Sequence, residues 1–135
     1  MNNTLTPNER KLFARALKLN RADPMTLCIE ILLRTGMRCE ELTKINFKEH
    51  VNETRNTIFI TAAKGSKNRI VPIDKNLVTA IVPMFGEGVL TRFGLSSPSF
   101  KRALSRHFAR FKLEHLGLGF KHITLHGLRA TFAQA

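Results

Sequence analysis

The sequence predicts an α+β fold, mostly helical, with a small three-stranded antiparallel sheet set between the helices. Three observations carry that expectation. Apolar residues recur at helical spacing up to Ile45 and again after Asp74. Between Ile45 and Ile73 the period changes to two, across a turn rich in Gly, Ser and Asn. Finally, three cap-plus-proline pairs, Thr6-Pro7, Asp23-Pro24 and Ser97-Pro98, mark helix starts.

Residues 1–3 form a loose start. Thr6-Pro7 opens a first helix whose inner side is Phe13 and Leu17, and Asn20 with Arg21 makes a short break. Asp23-Pro24 starts a second helix with Leu27, Ile31 and Leu32 inward, ended by Gly36 in a left-handed conformation. A short helix follows from Arg38 to Lys44, with Leu42 and Ile45 facing the core. Thr57 to Thr61 alternates as a strand, Lys64-Gly65-Ser66-Lys67-Asn68 is turn chemistry, and Ile70, Val71 and Ile73 return. Pro72 marks an edge strand or a strand end, and Phe47 to Val51 is the candidate third strand. Asp74 caps a helix to about Phe85, and Gly86, Gly88 and Gly94 mark a loop. Ser97-Pro98 begins a long helix with Phe100, Leu104, Phe108 and Phe111 on its apolar side. Its polar side carries Arg102, Arg106 and Arg110 at intervals of four, with Lys101 and Lys112 beside them. After the break at Gly117 and Gly119, Thr124 caps a final helix with an apolar stripe of Leu125, Leu128 and Phe132.

Residues 1–135 are enough for one domain with a real core and no staples. The charge is one-sided: 22 Lys and Arg against 10 Asp and Glu, formally +12. Such an excess calls for an anionic partner, and nucleic acid fits better than a membrane. No run reaches spanning length, and the first residues show no signal-peptide pattern. Cys28 and Cys39 lie in apolar, helix-like surroundings, which predicts buried free thiols in a reducing cytoplasm. His122 and His126 are four apart with His115 near, but a helix boundary separates them and no carboxylate or cysteine joins them. No metal is expected.

Three stretches carry the candidate chemistry. In Thr35-Gly36-Met37-Arg38-Cys39-Glu40-Glu41-Leu42, an arginine sits at a helix start, where backbone N–H groups and the positive dipole end favour a phosphate. Glu41, one turn on, is placed to orient Arg38 from behind. His126 and Arg129 are three apart, so they project from one side of the last helix, and both can hydrogen-bond the oxygens of one phosphate.

Together Thr35-Gly36-Met37-Arg38 with Glu41-Leu42, then Lys64-Gly65-Ser66-Lys67-Asn68-Arg69-Ile70-Val71-Pro72-Ile73, then His126-Gly127-Leu128-Arg129 resemble the catalytic domain of tyrosine recombinases, the phage-type integrases. The segments fall in that family's order and span Thr35 to Phe132. The resemblance implies metal-free, cofactor-free DNA breakage and rejoining through a 3′-phosphotyrosyl link. In it, Arg38 and Arg129 clamp the scissile phosphate. Lys64 protonates the leaving 5′ oxygen, and His126 acts as acid–base or phosphate donor. Glu41 is supporting, and Lys67 and Arg69 are DNA-backbone contacts or solubilising charges. With almost no acids beside them, Lys101, Arg102, Arg106 and Arg110 are expected to form a phosphate-contacting face rather than only a solvated helix face. DNA and other recombinase subunits are the implied partners, and Arg38, His126 and Arg129 are expected on one basic concavity with Lys64 on a mobile hairpin at its edge.

The chain departs from the family at three points. It holds no tyrosine, and in the family the nucleophile and a further His or Trp follow the His-x-x-Arg motif. The residues are also expected to open at the linker helix, past the core-binding domain that closes around DNA in the family. The expectation is therefore a catalytic domain cut at both ends and inactive by itself. Two other readings compete: a non-catalytic DNA-binding or regulatory descendant of a recombinase, and an unrelated basic helical module in which the motif residues do not converge.

Overall fold

The computed structural model describes residues 5–63, 65, 67–117, 120 and 123–128. In chain order the elements are α1 (Pro7–Leu19), α2 (Pro24–Thr35), α3 (Cys39–Thr43), α4 (Phe47–His50), β1 (Val51–Asn52), β2 (Thr57–Ile60), β3 (Arg69–Pro72), α5 (Lys75–Phe85), α6 (Val89–Phe93) and α7 (Ser97–His115). Residues 125–128 are also helical. The α+β expectation holds. The chain divides into two compact units, Met1–Gly36 with Lys101–Ala135, and Met37–Phe100.

The first unit is helical. Thr6 and Glu9 exchange side-chain-to-backbone hydrogen bonds at 2.9 and 3.2 Å, which satisfies two donors at the start of α1. Asp23 caps α2 by accepting from the backbone N–H groups of Met25 and Thr26. Gly36 ends α2 at φ 68°, a left-handed conformation that a side chain would strain. Phe13 of α1 is fully buried and packs its ring 5.8 Å from Phe108 and 6.1 Å from Phe111 of α7. Each ring so buried contributes about 1.5–3 kcal/mol. α2 is buried almost all round, from Thr26 to Leu33. Glu30 lies in that run with no exposure. Its carboxylate takes Nε and Nη2 of Arg21 at 2.8 and 2.7 Å, which neutralises a charge that could not otherwise be buried.

The second unit holds the sheet, in the order β1-β2-β3 and antiparallel throughout. β2 lies in the middle, and Ile58 and Ile60 are fully buried while Thr57 and Phe59 are half-buried. β3 is an edge strand, as Pro72 requires, since proline has no N–H to donate. Phe47–Phe85, Phe85–Phe93 and Phe93–Phe100 form a run of ring contacts with centroids 5.2 to 6.3 Å apart through the unit's helices.

Two expectations need correction here. The third strand begins at Val51, not Phe47, because Phe47–His50 is a helical turn. Asn46 Oδ1 accepts from the N–H groups of Lys48 and Glu49, and the carbonyl of Gly86 accepts from Phe47 and Lys48. Those acceptors satisfy a helix start and leave nothing for a ladder. The glycine-marked loop after Phe85 also contains a helix, α6, between Gly88 and Gly94. A Cβ on Gly88 would stand 3.2 Å from the carbonyl oxygen of Ile45, at φ 145°, so this glycine allows close approach rather than disorder. Of the two cysteines, Cys28 is buried as expected and Cys39 only half-buried.

Candidate active site

In the second unit the site is built around Glu41. Arg38 occupies the N-cap of α3, and its backbone N–H donates to Glu41 Oε1 at 2.7 Å. The backbone N–H of Ala63, just past β2, donates to Oε2 at 3.2 Å. Arg69, the first residue of β3, places Nη1 3.0 Å from Oε2 and Nη2 2.9 Å from Oε1. The carboxylate is fully buried, which by itself pushes its pKa up. The Arg69 hydrogen bonds, the Arg38 and Ala63 N–H groups and the Arg69 charge outweigh burial and hold it at about 2. The same pairing raises the pKa of Arg69.

This carboxylate therefore joins the start of α3 to both legs of the β2–β3 hairpin. Arg69 Nη1 also donates to the Lys67 carbonyl, and Asn68 Oδ1 accepts from the Ala62 N–H at 2.6 Å. The base of the turn is thus fixed from both sides. Arg38 Nη2 lies 3.7 Å from where a Cβ on Gly65 would stand, so the Arg38 guanidinium reaches the tip of this hairpin. Lys64, beside Gly65 in sequence, lies outside the described residues.

Two expectations change in form. Glu41 receives the backbone of Arg38 and grips the guanidinium of Arg69. Arg69, expected at the DNA backbone or as a solubilising charge, has both Nη atoms engaged inside the protein. Lys67 has an exposed side chain.

In the first unit, Thr124 Oγ1 accepts from the Gly127 N–H at 3.0 Å, and the Thr124 carbonyl accepts from Leu128. That cap starts the turn of residues 125–128, with Leu128 fully buried and His126 exposed on the other side. Arg129 and Phe132 lie outside the described residues, as does His122. On α7, Lys101, Arg102, Arg106 and Arg110 are all exposed. Arg110 Nη2 is 3.1 Å from Nδ1 of His107, and His107 Nε2 is 2.8 Å from Thr26 Oγ1. Since a guanidinium only donates, Nδ1 is the acceptor and Nε2 carries the proton toward Thr26. Burial lowers the His107 pKa against the opposing pull of Asp23, consistent with that neutral form.

Lys112 is a correction. It was expected on the polar side of α7 but is buried, because its stem turns inward and its ammonium donates to the carbonyl of Ile123. Sequence periodicity missed it, as it missed Glu30. A lysine one position past the buried Phe111 carries no signal of its own that would place it inside.

The whole-chain comparisons agree with this architecture. The phage integrase family model matches residues 3–135. No curated protein matches the chain in sequence. Among solved structures, XerA recombinase is similar with a TM-score of 0.68 at 23% identity, over 98% of this chain and 50% of that one. A lambda integrase dimer bound to a COC' core site gives 0.67 at 23%, over 98% of this chain and 40% of that one. The Tn1549 transposon integrase in complex with a circular intermediate DNA gives 0.56 at 20%, over 96% and 51%. The chain spans about half the length of the solved proteins it resembles, and shares with them the tyrosine recombinase catalytic-domain fold. It belongs to the phage integrase family.

Proposed function

We propose that these residues form the phosphate-gripping part of a site-specific DNA recombinase. Arg38 and Arg129 clamp one phosphodiester, His126 donates to it or moves its proton, and Lys64 protonates the leaving 5′ oxygen. Lys67 and the exposed Lys101, Arg102, Arg106 and Arg110 hold neighbouring phosphates. Glu41 and Arg69 keep the start of α3, which carries Arg38, and the hairpin together. The observation that carries this reading is the placement of the Arg38 guanidinium at the tip of the hairpin whose base Glu41 fixes, in a chain of the integrase family. The lambda and Tn1549 integrases named above are bound to DNA, which supports DNA as the partner, and the lambda integrase is a dimer, which supports other subunits.

The 135 residues contain no tyrosine. Their serines and threonines are far less acidic than a phenol and have no evident base, so these residues supply the clamp and not the nucleophile. The same fact favours a second reading, a protein that occupies recombination sites without cutting. A nicked DNA substrate incubated with the chain and run on a denaturing gel tests both. We expect no covalent band from these residues alone, and one when a tyrosine-bearing segment is joined to them or supplied by another subunit. A covalent band without tyrosine overturns the assignment of roles. Binding without cleavage even when tyrosine is supplied favours the second reading.

A further inference from the structure

Lys112 is an ammonium placed where none is needed for solubility. Only 7% of the residue is exposed, its Nζ lies 4.7 Å from the centre of the Phe108 ring, and it donates to the carbonyl of Ile123. Its own carbonyl accepts from the N–H groups of Leu116 and Gly117 at 2.9 and 2.8 Å, where α7 ends. One residue therefore holds both ends of the connector between α7 and the His126 turn. Ile123 immediately precedes Thr124, whose hydroxyl and carbonyl receive the N–H groups of Gly127 and Leu128.

We infer that Lys112 is a positioning residue for His126: through the Ile123 carbonyl it fixes the Thr124 cap, and through the cap the direction in which the imidazole leaves the protein. A buried charge is costly to keep, and an apolar side chain would fill the same space beside Phe108 without that cost. What only the ammonium supplies is a strong donor to one carbonyl, at the point where the chain turns into the helix that bears the motif. Burial lowers the Lys112 pKa, as expected for a lysine withdrawn from water. The inference rests on the proposed phosphate role of His126 for its purpose, but not for its structural content.

The test is amide hydrogen exchange with three variants of the full chain. Lys112→Met keeps the stem and removes the donor, and Lys112→Arg keeps a donor. Thr124→Val, at an exposed position, removes only the hydroxyl half of the cap. We expect Lys112→Met to speed exchange at Gly127 and Leu128 by about tenfold or more, the loss of one charge-assisted hydrogen bond, with Leu27 in α2 unchanged. Thr124→Val should reproduce the effect at Gly127, and Lys112→Arg should restore most of the protection. Unchanged exchange at Gly127 and Leu128 in Lys112→Met overturns the inference. So does acceleration of Leu27 in step with them, which would make Lys112 ordinary packing. In the same samples, the His126 ring resonances should shift on adding a short DNA duplex in the wild type and shift less in Lys112→Met. If the wild-type ring does not respond to DNA, the phosphate role of His126 fails, while the exchange comparison still decides what Lys112 does.

Discussion

Glu30 in one unit and Glu41 in the other are both fully buried, and each grips an arginine through two nitrogens. Yet the two pairs hold different amounts of structure. Arg21 is nine residues before Glu30, so that pair closes the local turn between α1 and α2. Arg69 is 28 residues after Glu41, and the same carboxylate also takes the backbones of Arg38 and Ala63. The first pair staples a connection the chain would make anyway. The second ties the start of α3, which carries Arg38, to a hairpin whose residues lie 22 and 28 positions from Glu41. Similar chemistry thus closes a local turn in one place and joins sequence-distant segments beside the candidate site in the other.

The largest effect should come from cutting each pair. Glu41→Ala removes the carboxylate that accepts from both Arg69 Nη atoms and two backbone N–H groups, and Glu30→Ala removes the one that accepts from Arg21. Each should cost about 3–5 kcal/mol in urea unfolding. The comparison sharpens in DNA binding measured where both variants are fully folded. Glu41→Ala should weaken it and Glu30→Ala should not. Equal losses would mean that the Glu41 pair is no more a site feature than the Glu30 pair.

Acid should act on the Glu41 pair with a defined sign. Its folded pKa of about 2 lies below the ordinary 4.5, so the folded state holds the carboxylate charged where the unfolded chain takes up a proton. The stability this supplies, on the order of 3 kcal/mol, is fully present above pH 4.5. It is lost as pH falls from there toward 2. Unfolding free energy followed across that range should decline in the wild type. In Glu41→Gln the decline should be shallower by this amount, and equal slopes would remove Glu41 as its source.

How much of this was readable in the sequence divides along the same line. Caps and periods found α1, α2, α5 and α7, because Thr6, Asp23 and the apolar spacing act within a few residues. The motif stretches located Arg38, Glu41 and Arg69. What the sequence did not show was which partner each would take. Glu41 was placed near Arg38 by spacing, whereas its guanidinium partner came from the far side of a hairpin. Phe47–His50 reads as strand in the sequence but is helical, because it is held by a carbonyl 39 or 38 residues away, that of Gly86 on Phe47 and Lys48. Lys112 and Glu30 turned inward for partners that no periodicity encodes.

A smaller effect separates the exposed arginines of α7 from the arginine paired with the buried Glu30. Each phosphate contact contributes a slope of about 0.9 in log affinity against log salt. Replacing Arg102, Arg106 and Arg110 by Ala should make the slope shallower by up to about 2.7. Replacing Arg21, which is engaged with Glu30, should leave the slope unchanged. If the triple variant keeps the wild-type slope, the α7 stripe is only a solvated face.

The central claim is that Arg38 and Arg129 grip one phosphodiester, and a double-mutant cycle on DNA affinity addresses it most directly. Arg38→Ala, Arg129→Ala and the double variant would be measured against one duplex at one salt concentration. Two guanidiniums on a shared phosphate should couple, with the double variant departing from the sum of the singles by about 1 kcal/mol or more. Losses that add to within about 0.5 kcal/mol would show that the two arginines act on separate phosphates, and the clamp would be contradicted.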